Sequence, residues 1–198
     1  MSDQSAARAH RHEVRAWSIM TTQIQFRPYA REHAPILASY ALDEVYCAHE
    51  GWTYPSDPAR MLAWAEHLAD SPSDDLVRLM AFVDDEPVGY VDFQGNEATE
   101  RELGYAIAPS SLWGQGLGTA AARAALDYGF ACLRLDRIWA EAVQANAASV
   151  RVLEKSGMTF LRRGDDARFL DAPSHYRQYE ITRDEWLAQQ GPPETLGA

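Results

Sequence analysis

The stretch SLWGQGLGTAAARAALDYGF, residues 111–130, constrains the fold of this chain more than any other. Gly114, Gly116 and Gly118 follow a strand-like segment and lead directly into an alanine-rich helix. Glycine tolerates positive φ and lets a ligand approach the main chain, and the first amides of a helix have no partner within it. A strand, a glycine turn and a helix start in this order predict a phosphate site made of backbone amides.

Several kinds of loop share this pattern. A Walker A loop requires Gly-Lys followed by Ser or Thr, and the sequence contains no Gly-Lys. A Rossmann fingerprint that starts at Gly114 needs Gly or Ala where Thr119 stands, and it belongs to the first strand–helix turn of its fold. The alternative without a ligand is a turn whose glycines only permit close packing of the helix.

The composition is that of one ordinary globular domain. The chain has 198 residues, of which 46% are hydrophobic and 24% charged. A net charge of −11 argues against a nucleic-acid partner, and the apolar runs are too short for a membrane span. The first 23 residues lack the apolar core of a signal peptide, and the two cysteines, Cys47 and Cys132, fit a cytoplasmic location, which we therefore expect.

Acidic residues are concentrated in one region. Residues 41–102 contain 15 Asp and Glu against three Arg, a local balance of −12, whereas the rest of the chain is nearly neutral. Such a run indicates either a solvated surface or a region that attracts cations. The six histidines are scattered without ligand spacing, so we predict no metal site.

Hydrophobic periodicity predicts a single α/β (α+β) domain over residues 21–190, with a loose leader over 1–20 and a tail over 191–198. Strands are predicted at 22–29, 76–95 (a hairpin around Asp84–Glu86), 101–109, 136–143, 158–163 and 174–182. Helices are predicted at 32–51 with a break near Pro35, from Asp57-Pro58, after the glycine loop, at 146–157 and after Thr182.

Two longer stretches, LGYAIAPSSLWGQGLGTAA and DRIWAEAVQANAASVRVLEKSGM, together resemble the GNAT family of acetyl-CoA-dependent N-acetyltransferases. The pyrophosphate loop of that family is Gln/Arg-x-x-Gly-x-Gly/Ala, which here corresponds to Trp113–Gly118. These stretches and the segment HYRQYEITRDEW look most like the branch that acetylates ribosomal-protein N-termini, the RimJ/RimL-like enzymes. The resemblance covers roughly residues 22–188.

The resemblance implies a fold and a cosubstrate site. The fold is a central mixed, mostly antiparallel twisted sheet flanked by helices, in which the parallel strands 101–108 and 136–143 splay apart. Acetyl-CoA is expected to bind in the resulting gap. The residues implied to hold it are Ile107 and Ala108 (main chain, pantetheine), Gln115, Gly116, Gly118 and Thr119 (amides, pyrophosphate) and Asn146 (pantetheine).

The catalytic candidates also follow from the resemblance. Glu102 opens the strand that would carry coenzyme A, 11 residues before Trp113, the offset at which histone-type members place their catalytic glutamate. The alternative is an exposed carboxylate at a strand start. Where many members have a proton-donating tyrosine this chain has Leu153, so Ser149 becomes the candidate that faces the thiolate, with a cap-like hydroxyl as its alternative. Tyr105 and Tyr128 are reserve candidates that core packing would also explain.

The acceptor site is implied to involve residues 36–62 and 161–175. Trp52 and Tyr54 would wall it, or else cover the edge of the core. We expect an acyltransferase that moves acetyl from acetyl-CoA to a primary amine, preferably a protein N-terminal α-amine. The alternatives are a small-molecule amine (a polyamine or an aminoglycoside) and a non-catalytic acyl-CoA-binding module. A homodimer is left open, and neither a membrane nor a nucleic acid is expected as a partner.

Overall fold

A seven-stranded mixed sheet organises residues 24–190, the part of the chain that this computed structural model describes. The predicted leader (1–20) and tail (191–198) lie outside these residues. The strand order is β1-β2-β3-β4-β5-β7-β6, and only β4 and β5 pair in parallel. The strands are β1 Gln25–Pro28, β2 Leu76–Val83, β3 Glu86–Gln94, β4 Glu100–Ile107, β5 Arg137–Val143, β6 Thr159–Phe169 and β7 Ala172–Thr182. The helices are α1 Ala34–Ser39, α2 Glu44–Glu50, α3 Pro58–Asp70, α4 Leu117–Ala131, α5 Ala147–Lys155 and α6 Arg183–Gln189.

The predicted break near Pro35 is wrong. Pro35 lies in the first turn of α1, where its missing amide hydrogen costs no helical bond. The chain leaves the helical conformation at Asp43 instead, which is extended and caps α2 by accepting the Tyr46 amide. Gly51 then ends α2 in the left-handed conformation with φ of +68°, as the sequence predicts.

The last two strands form a longer hairpin than predicted. The sequence predicts a polar turn between 163 and 174, but β6 and β7 continue through it and turn only at Leu170 and Asp171, whose φ values are +47° and +63°. The sequence pattern does not reveal the full length of these strands because most of β6 is exposed to solvent and carries no apolar alternation. The hairpin around Asp84 is confirmed, with a turn of the same left-handed kind.

The parallel pair β4 and β5 separates after three residues. Glu100, Arg101 and Glu102 pair with Arg137, Ile138 and Trp139, and beyond that register the strands have no ladder in common. β5 stays paired with β7 over its whole length, while β4 stays paired with β3. The sheet therefore opens a gap between β4 and β5 toward their carboxyl ends, and the predicted fold class is confirmed.

The sheet divides the core into two clusters. One face, with Leu103 and Ile107 of β4, packs against α4 and α5. The other face, with Ala106 and Ala108, packs against α1 to α3. The alternation along β4 is the one predicted, so Glu102 lies on the face that carries α1 to α3. Of the helices formed by residues 24–190, none combines the length and apolarity needed to cross a bilayer.

Candidate active site

The glycine loop turns the chain from β4 into α4. Gly114 and Gly116 have φ of +78° and +84°, in the left-handed region that favours glycine. Gly116 is the N-cap of α4 and has no side chain to bond the first amides, and the first helical bond runs from the Ala120 amide to the Gly116 carbonyl. The amides of Leu117–Thr119 therefore emerge at the helix start without helical partners.

The start of α4 lies beside the gap between β4 and β5. A Cβ on Gly118 would come 3.2 Å from Val152 of α5 and 3.8 Å from Ile107 at the end of β4. Gln115 is exposed, and its side-chain Nε2 donates to the Ser111 carbonyl at 3.1 Å. The structure thus brings four predicted pyrophosphate residues together at one helix start, namely Gln115, Gly116, Gly118 and Thr119.

The main chain at the end of β4 is already partly bonded. The Ala108 amide donates to the Val88 carbonyl of β3 at 3.1 Å. In an antiparallel pair, residues that exchange main-chain hydrogen bonds alternate with residues that do not. Because Ala108 is bonded to β3, the main-chain groups of Ile107 turn away from β3 toward the gap. The Trp113 indole Nε1 donates to the Ile107 carbonyl at 2.7 Å. The Ile107 amide therefore faces the gap, whereas the Ala108 amide is used within the sheet.

Helix α2 is attached to the glycine loop at both of its ends. The Asp43 carboxylate accepts the Tyr46 amide at 3.0 Å and also the Ser110 amide and hydroxyl at 2.7 and 3.0 Å. Partial burial would raise the pKa of Asp43, but these hydrogen bonds outweigh it and lower that pKa. At the other end, the His49 and Trp113 rings lie 4.7 Å apart, edge to face.

Glu102 stands where the parallel strands part. It lies opposite Gln94 of β3 and is in register with Trp139 of β5, the last parallel pair. Burial raises the pKa of the Glu102 carboxyl, and the charge of Glu141 raises it further. A carboxylate with a raised pKa is a stronger proton acceptor at neutral pH than an ordinary one. Tyr105 follows three residues later, about 10 Å along the strand.

Tyr105 and Ser149 form a hydroxyl pair that joins β4 to α5. The Tyr105 hydroxyl lies 2.8 Å from Ser149 Oγ and donates to the Ser149 carbonyl at 3.1 Å. Burial raises the pKa of Tyr105 to about 12, so this phenol is protonated at neutral pH. Asn146 caps α5 by accepting the Ser149 amide at 3.1 Å. Leu153 is fully buried and occupies a core position.

The two predicted acceptor aromatics have different surroundings. Trp52 is half-buried and packs edge to face with Tyr46 and Trp64, at ring distances of 5.5 and 5.7 Å. Tyr54 is 45% exposed. The structure therefore places Trp52 within the packing of α2 and α3 and leaves Tyr54 at the surface.

Glu50, the last residue of α2, is a candidate that the sequence analysis missed. It is accessible to solvent, yet protein surrounds its carboxyl group closely enough that lost hydration raises its pKa to about 7. Its charge raises the pKa of Tyr46, Tyr90 and Tyr105, so the carboxylate lies within electrostatic reach of all three hydroxyls. The available signal was the spacing of Tyr46 and Glu50, which puts both on one helix face.

Metal ligation has no geometric support in the part of the chain that the structure describes. Within residues 24–190, no three His, Cys, Asp or Glu side chains are grouped so as to hold a metal ion.

The fold is similar to that of solved N-acetyltransferases. The spermidine N-acetyltransferase of Vibrio cholerae, in complex with CoA and spermine, has a TM-score of 0.69 at 17% identity, with 84% of this chain and 99% of that chain covered. The aminoglycoside acetyltransferase AAC(6')-Ib, in complex with coenzyme A and kanamycin, has a TM-score of 0.65 at 21% identity, again with 84% and 99% covered. At these identities the likeness establishes the fold.

Sequence comparison gives the family. A 72-residue segment is 42% identical to the uncharacterized protein YkkB of Bacillus subtilis (strain 168), and it spans 36% of this chain and 41% of that relative. The profile of the family described as "Acetyltransferase (GNAT) domain" matches residues 23–159, more than half of the chain. The predicted family is confirmed, and the predicted ribosomal-protein branch stays a prediction. The chain belongs to the GNAT family of acetyltransferases, which places it among the acyltransferase enzymes.

Proposed function

We propose that this chain is an acetyl-CoA-dependent N-acetyltransferase that acetylates a primary amine by direct attack on the thioester. The observation that carries this proposal is the uncapped start of α4 beside the gap where β4 and β5 part. The two solved relatives named above both contain coenzyme A, which supports the same cosubstrate here.

The residues at the gap fit this cosubstrate. The amides of Gly116–Thr119 lie at the positive end of the helix dipole, where a pyrophosphate group is stabilised. The Ile107 amide faces the gap and would bond the pantetheine arm as an added strand does. Asn146 uses its Oδ1 to cap α5 and retains its side-chain amide donors for the same arm. The bound cosubstrate would supply the activated acetyl thioester.

Glu102 is proposed as the proton acceptor. A lysine-type amine has a pKa of about 10.4 and an α-amine one of about 7.7–8.0, so most acceptors arrive protonated at neutral pH. The raised pKa of Glu102 suits it to take this proton, directly or through one water molecule. The neutral nitrogen can then attack the acetyl carbonyl carbon.

The Tyr105–Ser149 pair is proposed to stabilise the departing sulfur. A phenol with a pKa of about 12 is a weaker acid than a thiol, whose pKa is about 8.5, so it stabilises a thiolate by hydrogen bonding and keeps its proton. When the Tyr105 hydroxyl donates its hydrogen bond to Ser149, the serine hydroxyl is left to donate its own hydrogen bond to the sulfur. Ser149 is then the donor, and Tyr105 orients it.

The acceptor is proposed to be a primary amine on a protein N-terminus or on a small polycation. The N-terminal α-amine rests on the resemblance of the glycine loop, α5 and the closing segment to the ribosomal-protein branch. The polycation is supported by the two solved relatives, which are spermidine and aminoglycoside acetyltransferases, and by the acidic balance of residues 41–102. Trp52 and Tyr54 are proposed to line the approach to the site.

The test is an acceptor screen with the full-length protein. Acetyl-CoA is incubated with spermidine, kanamycin or peptides that carry a free N-terminal amine. Thiol release and the mass of the product are measured for each amine. We expect thiol release with at least one amine and a product that carries one acetyl group on nitrogen. Tight acetyl-CoA binding without thiol release for any amine would contradict catalysis and support the acyl-CoA-binding module.

A further inference from the structure

The tip of the β6–β7 hairpin extends past the strand that anchors it. The last pair between β5 and β7 is Val143 with Tyr176, and β5 ends there. β7 begins earlier, at Ala172, and the turn of the hairpin lies at Leu170 and Asp171. The tip therefore lies beyond the carboxyl end of β5, which is the end at which the gap between β4 and β5 is open.

Three aromatic rings connect this tip to the other side of the gap. Phe169 is the last residue of β6, and its ring centroid lies 5.2 Å from that of His49 in α2, edge to face. The His49 ring lies 4.7 Å from the ring of Trp113, again edge to face. Because β7 joins the hairpin to β5 and Trp113 belongs to the loop that follows β4, the row of rings crosses the open end of the gap. We call Phe169, His49 and Trp113 the aromatic strap.

The middle ring of the strap is oriented by its own helix. His49 Nδ1 lies 2.9 Å from the Val45 carbonyl oxygen, one turn earlier in α2. Because a carbonyl oxygen can only accept, Nδ1 is the donor and carries a proton. This hydrogen bond restrains the plane of the ring. The edge-to-face contacts on both sides of it are the arrangement that aromatic pairs prefer.

The last ring of the strap holds the main chain at the end of β4. Trp113 packs against both core clusters, so it lies at the boundary between the two faces of the sheet. Its indole Nε1 donates to the Ile107 carbonyl at 2.7 Å. The carbonyl and the amide of Ile107 share one Cα, so a restraint on the carbonyl also restrains the direction of the amide that faces the gap. The strap thus connects the hairpin tip to a main-chain group proposed above for the pantetheine arm.

We propose that the aromatic strap sets the width of the open end of the gap and thereby positions the pantetheine arm of acetyl-CoA. β4 and β5 pair over three residues at the closed end, and this pairing leaves their separation at the open end to other contacts. Phe169 and His49 are positioning residues, since they act through Trp113 and Ile107. This inference rests on the proposed N-acetyltransferase function and adds a determinant of cosubstrate affinity to it.

Calorimetric titration of the full-length protein with acetyl-CoA tests the strap. Phe169→Ala should raise the Kd about three- to tenfold, the range that one aromatic edge contact contributes. Phe160→Ala is the matched control, because it removes the same side chain from the same strand, where the ring packs edge to face on Tyr179 at 5.7 Å, away from the tip. The control should keep the wild-type Kd within about twofold, and Phe169→Tyr, which retains the ring, should restore most of the lost affinity.

A double variant tests whether the rings act in sequence. His49→Ala removes the middle ring and should raise the Kd for acetyl-CoA by about the same three- to tenfold factor. If Phe169 acts through His49, Phe169→Ala should have less than about a twofold further effect in the His49→Ala background. Losses that multiply would contradict a connected strap.

The indole N–H of Trp113 gives a readout that loss of stability alone would not move. Its signal in proton–nitrogen correlation spectra is assigned with Trp113→Phe. We expect this proton to exchange with solvent at least about threefold faster in Phe169→Ala than in Phe160→Ala, because the bond to Ile107 is held less firmly. Thermal unfolding of both variants shows whether their losses of stability are matched.

The outcomes separate this inference from the proposed function. The strap is overturned if Phe169→Ala binds acetyl-CoA within twofold of Phe160→Ala, or if the Trp113 exchange rates of the two variants are equal. Wild type that binds no acetyl-CoA would overturn the strap and the proposed function together. Strap-dependent binding without acetyl transfer to any amine of the screen would support the strap and contradict the enzyme proposal alone.

Discussion

At the scale of single residues, two carboxyl groups, those of Glu102 and Glu50, have raised pKa values. Glu102 lies at the apex of the gap, where β4 and β5 still pair, and its pKa is raised by burial and by Glu141. Glu50 is the last residue of α2, and lost hydration raises its pKa to about 7. The sequence points to Glu102 through a motif offset, whereas at Glu50 it offers only the helical spacing from Tyr46.

Replacing Glu102 by Gln tests the proposed base. We expect kcat to fall by about 10²–10⁴ because the amide cannot accept a proton, while the affinity for acetyl-CoA is retained. Steady-state kinetics and calorimetry measure the two quantities. Glu97→Gln, at an exposed position outside the sheet, is the control and should keep the wild-type kcat. A Glu102→Gln enzyme with the wild-type kcat would remove Glu102 from the mechanism.

The hydroxyl pair gives a prediction about coupling. Ser149→Ala should lower kcat by about 10- to 100-fold, since a hydrogen bond to a charged sulfur is lost. If Tyr105 acts through Ser149, Tyr105→Phe should lower kcat in the wild-type background and have little further effect in Ser149→Ala. KM for acetyl-CoA should change little in each variant. Losses that simply multiply would show that the two hydroxyls act independently, and an unchanged kcat in Ser149→Ala would show that the thiolate leaves unaided.

At the scale of elements, helix α2 is joined to the loop before α4 by contacts at both of its ends. Asp43 is the N-cap of α2 and at the same time accepts two hydrogen bonds from Ser110. The residue type at an N-cap follows from local sequence. The bond to Ser110 does not, because it joins positions 67 residues apart.

Replacing Asp43 by Ala tests this link. The lost cap should lower the free energy of unfolding by about 1–2 kcal/mol, measured by urea denaturation. Because the loop before α4 also loses its support, the Kd for acetyl-CoA should rise. Asp57→Ala, which removes the N-cap of α3, is the matched control with a similar loss of stability and an unchanged Kd. Equal Kd values in the two variants would show that the link does not support cosubstrate binding.

Helices and strands are predicted correctly where the local sequence carries a clear cap, turn or hydrophobic pattern. The cap at Asp57, the glycine end at Gly51 and the alternation along β4 were read correctly because propensity and pattern agree at those positions. The long β6–β7 hairpin was missed because its strands are held by pairing with each other while most of β6 lies in solvent. No apolar period marks such strands.

At the scale of the whole molecule, the proposed cosubstrate site lies where the sheet divides its two core clusters. A ligand in the gap would contact β4, α4 and α5 at once, so its binding should stabilise the folded domain. At about 100 times its Kd, acetyl-CoA should add about 2.7 kcal/mol, which raises Tm by about 5–10 °C in a chain of this size. Thermal unfolding with and without the ligand measures this shift, and NAD serves as the control that should leave Tm unchanged. A shift with NAD but none with acetyl-CoA would contradict the proposed ligand.

The sequence by itself determined the family, the order of most elements and the glycine loop, because each depends on residues close together in the chain. Gly114, Gly116 and Gly118 could be read as a ligand loop since their spacing and the helix that follows are local properties. The tertiary structure alone decided how far β4 and β5 run together, that the Ala108 amide is used by β3, and that the charge of Glu50 raises the pKa of tyrosines on α2, β3 and β4. The physical reason is that strand register and the burial of a charge depend on contacts between distant segments. The hydrophobic pattern of a strand or helix predicts only which of its faces is buried, and not which segment covers that face.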